Sequence, residues 1–112
     1  MPPILLTLTV VVAFASPVVV PAQDARMVLT GTEFLSACSR PDPEGIGFCH
    51  GYAQAVFDVA QQNEKTLCAP PGLTRATIVG AVVERLSAVE ELRAISAWAV
   101  VYGSLLSMFP CR

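Results

Sequence analysis

The sequence has 112 residues, 54% of them hydrophobic, and a formal net charge of −2. That length holds one domain, and its mixed charges form no stripe of Lys and Arg, which argues against nucleic-acid binding. The mild acidic balance also excludes strong steering of a basic partner by net charge, although it leaves room for a local patch.

Residues 4–20 read ILLTLTVVVAFASPVVV, and no charge occurs before Asp24. This is the pattern of a secretory signal peptide, with cleavage expected after Val20-Pro21-Ala22 and before Gln23, since short residues suit the peptidase pockets there. Pro17 and Pro21 end the apolar run before it makes a comfortable membrane span of about 20 residues, so no stable membrane anchor is expected after cleavage. Met1-Pro2-Pro3 lacks the usual Lys or Arg, and an uncleaved anchor or a core helix are the competing readings. Residues 1–22 are thus expected to be a signal peptide and residues 23–112 an exported helical domain. A chain of that size gains from covalent staples, because packing alone supplies a marginal core.

Thr30-Gly31-Thr32-Glu33 has the spacing of a capping box, in which hydroxyl and carboxylate satisfy opposite ends of the first helical turn. A short helix should follow to about Ser39, with Phe34, Leu35 and Cys38 on one face, until Pro41 and Pro43 stop it. The next helix should begin near Pro43 or Glu44, since proline and acids suit a first turn. Cys49, Tyr52, Ala53, Val56 and Ala60 recur at spacings of three and four, which predicts a buried stripe. Gly45, Gly47 and Gly51 are poor helix formers, so either this start is irregular or another backbone packs closely against it.

Residues 63–72 are polar and contain Pro70-Pro71-Gly72, which predicts a loop pinned by Cys68. Thr74 is a plausible N-cap for a third helix carrying Ile78, Val79, Val82, Val83 and Leu86. Ser87-Ala88-Val89-Glu90 offers a second capping box, which predicts a fourth helix from about Ala88 to Phe109-Pro110. Leu92, Ile95, Ala99, Tyr102 and Leu106 would share its face, widened by Trp98 and Leu105, which suits a central helix or leaves part for a partner. No alternation of period two persists, so the expected fold is all-α: a small disulfide-stapled bundle of about four helices.

Cys38, Cys49, Cys68 and Cys111 are far apart, with neither the close pairs of a zinc site nor a C-x-x-C motif. Behind an export signal, an even count reads as a disulfide framework, and sequence alone does not choose among its three connectivities. Local geometry favours Cys38 with Cys49, because residues 40–45 would reverse the chain between two helices, and leaves Cys68 with Cys111.

Candidate chemistry is sparse. His50 neighbours Cys49, but adjacent helical residues point about 100° apart and do not meet, and a thiol in a disulfide is no nucleophile. The acid pairs Glu90 with Glu91 and Asp42 with Glu44 fall at helix starts, where they favour the dipole. Gly45-Ile46-Gly47 lacks the rest of a phosphate-binding loop. Trp98 and Tyr102, four apart, are read as core ahead of the alternative of an exposed binding anchor. A non-enzymatic binding protein without a cofactor is the resulting expectation.

Taken together, Phe34-Leu35-x-x-Cys38, Gly47-Phe48-Cys49-x-Gly51-Tyr52-x-x-Ala55-x-x-Asp58, Cys68-x-Pro70-x-Gly72-x-Thr74 and Phe109-Pro110-Cys111 resemble the Rap/Tai-type immunity proteins of type VI secretion systems. The resemblance spans almost all of the expected mature chain. It implies a homodimeric periplasmic protein that binds a peptidoglycan-cleaving amidase effector and occludes its active site. Partner contacts are expected in the loop and the adjoining helix start, at Glu64, Lys65, Thr66, Leu67, Pro70, Pro71 and Arg75, because a rigid plug avoids much of the ordering cost of association. The alternative is a periplasmic stress protein broadly like the acid-stress chaperones of the HdeA kind, although a single histidine offers little pH-sensing machinery.

Overall fold

The computed structural model describes residues 2–5, 7, 9–17, 28–63 and 65–112. Residues 9–17 are exposed and carry no regular secondary structure, so this apolar stretch forms no core helix. The expected cleavage site around Ala22 lies outside the described residues. Among the described residues no helix is long and apolar enough to cross a membrane.

Helix α1 spans Gly31–Cys38 and begins in the expected capping box: the Glu33 amide donates to the Thr30 hydroxyl at 3.2 Å, and the Thr30 amide donates to the Glu33 carboxylate at 3.4 Å. Phe34 is fully buried on its inner face, with Leu35 and Cys38 half-buried beside it. Gly31 sits where the chain crosses itself. Its amide donates to the Ile95 carbonyl at 2.7 Å, and a Cβ there would lie 2.5 Å from the Leu92 carbonyl oxygen.

Helix α2 spans Pro43–Gln61 with Asp42 as N-cap, its carboxylate accepting from the Gly45 amide at 3.3 Å. Arg40 reaches the same carboxylate with two donors at 2.9 and 2.7 Å. The Arg40 hydrogen bond holds the Asp42 carboxyl below its ordinary range against the opposing desolvation, with lesser help from the Gly45 amide and the Arg40 charge. A depressed folded-state value means stability present above about pH 4 and lost as acid titrates the group. Melting scans from neutral to acid pH should therefore show Asp42→Ala below the wild type at pH 7, with the gap closing in acid; a constant gap would discount the charge.

The glycines of α2 divide. A Cβ on Gly45 would lie 2.6 Å from the Arg40 Cβ and 3.1 Å from the Ala37 carbonyl, which is the close approach of α1 to α2. Gly47 and Gly51 face open space, and the helix runs regularly through both. Gly47→Ala and Gly51→Ala should each raise stability by about 0.5–1 kcal/mol, the helix-propensity difference, read as a higher urea midpoint.

Helix α3 spans Arg75–Ala88, capped by Thr74, whose hydroxyl accepts from the Thr77 amide at 3.2 Å. Ile78, Val79, Val82 and Leu86 are buried, and Val83 lies at the edge of that face.

The fourth helix departs from expectation. Helix α3 runs through Ala88, a short 3-10 helix occupies Glu90–Ala94, and α4 begins only at Ala97, spanning Ala97–Met108. Ser87 donates to the Val83 carbonyl at 2.8 Å instead of capping, and the cap of α4 is Ser96, which accepts from the Ala99 amide at 3.3 Å. Tertiary pairing overrides the local pattern: the Ala97 amide donates to Leu29 and the Gly31 amide to Ile95, both at 2.7 Å, drawing residues 95–96 out against the segment before α1. The later start turns the helix, so Ala97, Val100, Val101, Ser104 and Leu105 face the core. Ile95 and Trp98 are exposed, and Ala99, Tyr102 and Leu106 are only half-buried.

Each of the four α-helices touches the other three, around one core that includes Phe34, Ala53, Val82, Leu86, Val101 and Leu105. The buried Ser104 hydroxyl is satisfied by the Val100 carbonyl at 2.7 Å. Among the described residues no extended strand forms, so the molecule is an all-α bundle. Two disulfides staple it, joining Cys38 to Cys49 and Cys68 to Cys111.

Candidate partner-binding surface

The polar loop from α2 to α3 is fixed at several points. The Asn63 carbonyl accepts from the Thr66 amide and hydroxyl, both at 3.1 Å, turning the chain. Leu67 then pairs with Pro110, and the Cys68 amide donates to the Phe109 carbonyl at 2.9 Å beside the Cys68–Cys111 bond. Gly72 adopts φ +82°, a left-handed turn that favours glycine. Thr74 then starts α3. The loop is therefore held at its middle and at its exit.

This arrangement exposes Lys65, Thr66, Pro70, Pro71 and Arg75 on one loop and the first turn after it. Leu67 does not join them. Its side chain is only 6% exposed and belongs to the core, so its part is to anchor the loop. Its apolar character between polar neighbours is the signal that separates it from the rest. Glu64 lies outside the described residues.

The other candidates resolve into structural roles. Cys49 is buried and bonded to Cys38, and His50 is half-buried beside it. Asp42 caps α2 with Glu44 in the first turn, while Glu90 and Glu91 occupy the first turn of the 3-10 helix. Among the described residues no three His, Cys, Asp or Glu side chains gather as a metal centre requires.

Two surface features lie outside the expected contact loop. Trp98, expected in the core, is 46% exposed and stacks on Tyr102 with ring centroids 4.9 Å apart. The second is an open groove of about 530 Å³ between α1 and the start of α2, with Ser36 and Ala37 on one wall and Glu44 and Phe48 on the other. Phe48 is 48% exposed, and its ring lies 6.2 Å from that of Tyr52, which in turn packs on Phe34 at 5.5 Å. Burial raises the Tyr52 phenol above its usual range, opposed by the nearby Trp98 backbone. Tyr52 thus connects Phe48 to the start of α4. That Phe48 falls beside, not within, the stripe of Cys49, Ala53, Val56 and Ala60 is the signal that could have found it.

A family model described as Rap1a immunity proteins matches residues 30–111. No curated protein and no solved structure matches the chain.

Proposed function

The chain belongs to the Rap1a immunity protein family, and from that premise we propose that it neutralises an exported peptidoglycan amidase of a type VI secretion system by plugging its cleft. The family implies a protein effector as partner, and the pinned loop is the observation that carries the finer reading. Disulfide, backbone pairing and helix cap hold Lys65, Thr66, Pro70, Pro71 and Arg75 in one presented shape before any partner arrives. A surface ordered in advance loses less conformational entropy on binding, so more of its contact energy appears as affinity.

On this reading the protein is non-catalytic, works in the periplasm as a homodimer, and reaches it by cleavage of residues 1–22. The leader's apolar run and late first charge support the export step.

The test is inhibition of purified peptidoglycan amidases of type VI secretion systems by this chain, measured as peptidoglycan hydrolysis. Combined alanines at Lys65, Thr66, Pro70, Pro71 and Arg75 should weaken inhibition by at least about thirtyfold, the scale of one binding hot spot. Inhibition undiminished by those changes in a folded variant would reject the loop as the plug.

A further inference from the structure

The groove between α1 and α2 has the makings of a second docking surface, at the opposite end of α2 from the loop. Phe48 and Gln61 are separated by about 20 Å of helix at 1.5 Å per residue. Engaging both therefore takes a partner broader than one cleft-filling contact. The groove's volume of about 530 Å³ falls among those of sites that enclose a ligand or side chains, roughly 300–1,000 Å³.

Its surface is apolar within and acidic at the rim. Leu29, Ala37 and Phe48 supply the apolar part, with the Phe48 ring stacked on Tyr52. An aromatic ring supported in this way is an anchor that loses little freedom on binding. Glu33, Arg40 and Glu44 supply the charge. The Arg40 guanidinium is already paired with Asp42 at 2.7 Å, and lies only 4.0 Å from Glu44. Among the described residues, with Arg40 matched by Asp42, Glu33 and Glu44 leave the rim negative, and the Glu44 side chain is 87% exposed. The Arg93 guanidinium is not part of this lining and is held at the end of α3, where it donates to the Leu86 and Ser87 carbonyls at 2.8 and 3.0 Å.

We propose that this groove binds a protein segment presenting an apolar side chain flanked by Lys or Arg. The apolar side chain sits against Phe48, and the flanking cations meet Glu33 and Glu44. This rests on the reading that the chain acts by binding a protein, and adds a surface that the loop does not include. Complementary charge at the rim governs encounter and selectivity, and salt weakens it.

The probe is a capped peptide, Gly-Lys-Leu-Phe-Lys-Gly, titrated into the full chain while backbone amide resonances are followed. A matched peptide carries Glu in place of both lysines. Shifts should centre on Ala37, Gly45 and Phe48, with affinity for the lysine peptide at least tenfold above that for the glutamate peptide. Phe48→Ala should abolish the shifts, and Glu44→Lys, at a more exposed side chain, should reduce the preference. Equal response to both peptides, or shifts confined to the loop, would overturn the groove. Because the assay contains no amidase, a negative result leaves the loop's role standing, and loop alanines that spare inhibition leave the groove standing.

Discussion

Replacing Cys68 and Cys111 together by serine is expected to lower the melting temperature by roughly 15–30 °C. The bond joins residues 43 apart in sequence, and loop-closure entropy assigns such a ring about 4 kcal/mol. In a domain of this size each kcal/mol moves the midpoint by about 4–8 °C. The shorter ring of Cys38 and Cys49, with a separation of 11, carries about 3 kcal/mol on the same scale. Because Cys68 is exposed and Cys111 half-buried, serine introduces little burial cost and the comparison isolates the bond. Thermal scans followed by helical ellipticity decide it. A drop of under about 5 °C would mean that the core and the Leu67–Pro110 pairing hold the loop without the covalent link. The outcome bears on function too, since a loosened loop loses the preformed shape on which plugging depends.

Gly31→Ala is expected to destabilise the protein by at least about 2 kcal/mol, as an overpacking change. The direction is informative because helix propensity alone would predict a gain of up to about 1 kcal/mol. At Gly31 the added methyl group meets backbone on the far side: the Leu92 carbonyl oxygen at 2.5 Å and the Arg93 Cα at 3.0 Å. Neither can rotate aside. Relief requires moving α1 away from the 3-10 helix, at the expense of the bonds from Gly31 to Ile95 and from the Thr32 hydroxyl to the Arg93 carbonyl. Equilibrium urea unfolding should show a lower midpoint with an unchanged slope. An increase would mean that the crossing opens readily in solution.

The same crossing explains what could and could not be read from sequence. Helices α1, α2 and α3 were legible because their limits are local: Thr30 with Glu33, Asp42 with Pro43, and Thr74 each satisfy their own first turn. The start of α4 was not. Ser87-Ala88-Val89-Glu90 has the right spacing for a cap, but hydrogen bonds from Gly31 and Ala97 fix residues 95–96 through partners some sixty residues away. Local spacing carries no trace of that constraint, and it rotates the buried face away from Ile95 and Trp98.

The surface divides in the same way. Cys68, Pro70, Pro71 and Gly72 announce an ordered loop within a few residues of one another, so the stretch stood out, with Leu67 as its inward-turned exception. The groove depends on how closely α1 approaches α2. That distance is set by the absence of a side chain at Gly45 opposite Ala37 and Arg40, a relation between segments on either side of a proline turn. Periodicity along α2 could mark Phe48 as lying off the buried stripe, but could not show the wall facing it.

Trp98 is the sole tryptophan of the chain, and its indole lies against the Tyr102 phenol at an exposed edge of α4. The molecule therefore carries an intrinsic optical reporter whose emission arises from one position. A partner that covers this edge would shift the colour and quenching of that emission, whereas an attachment confined to a distant surface would leave the signal unmoved.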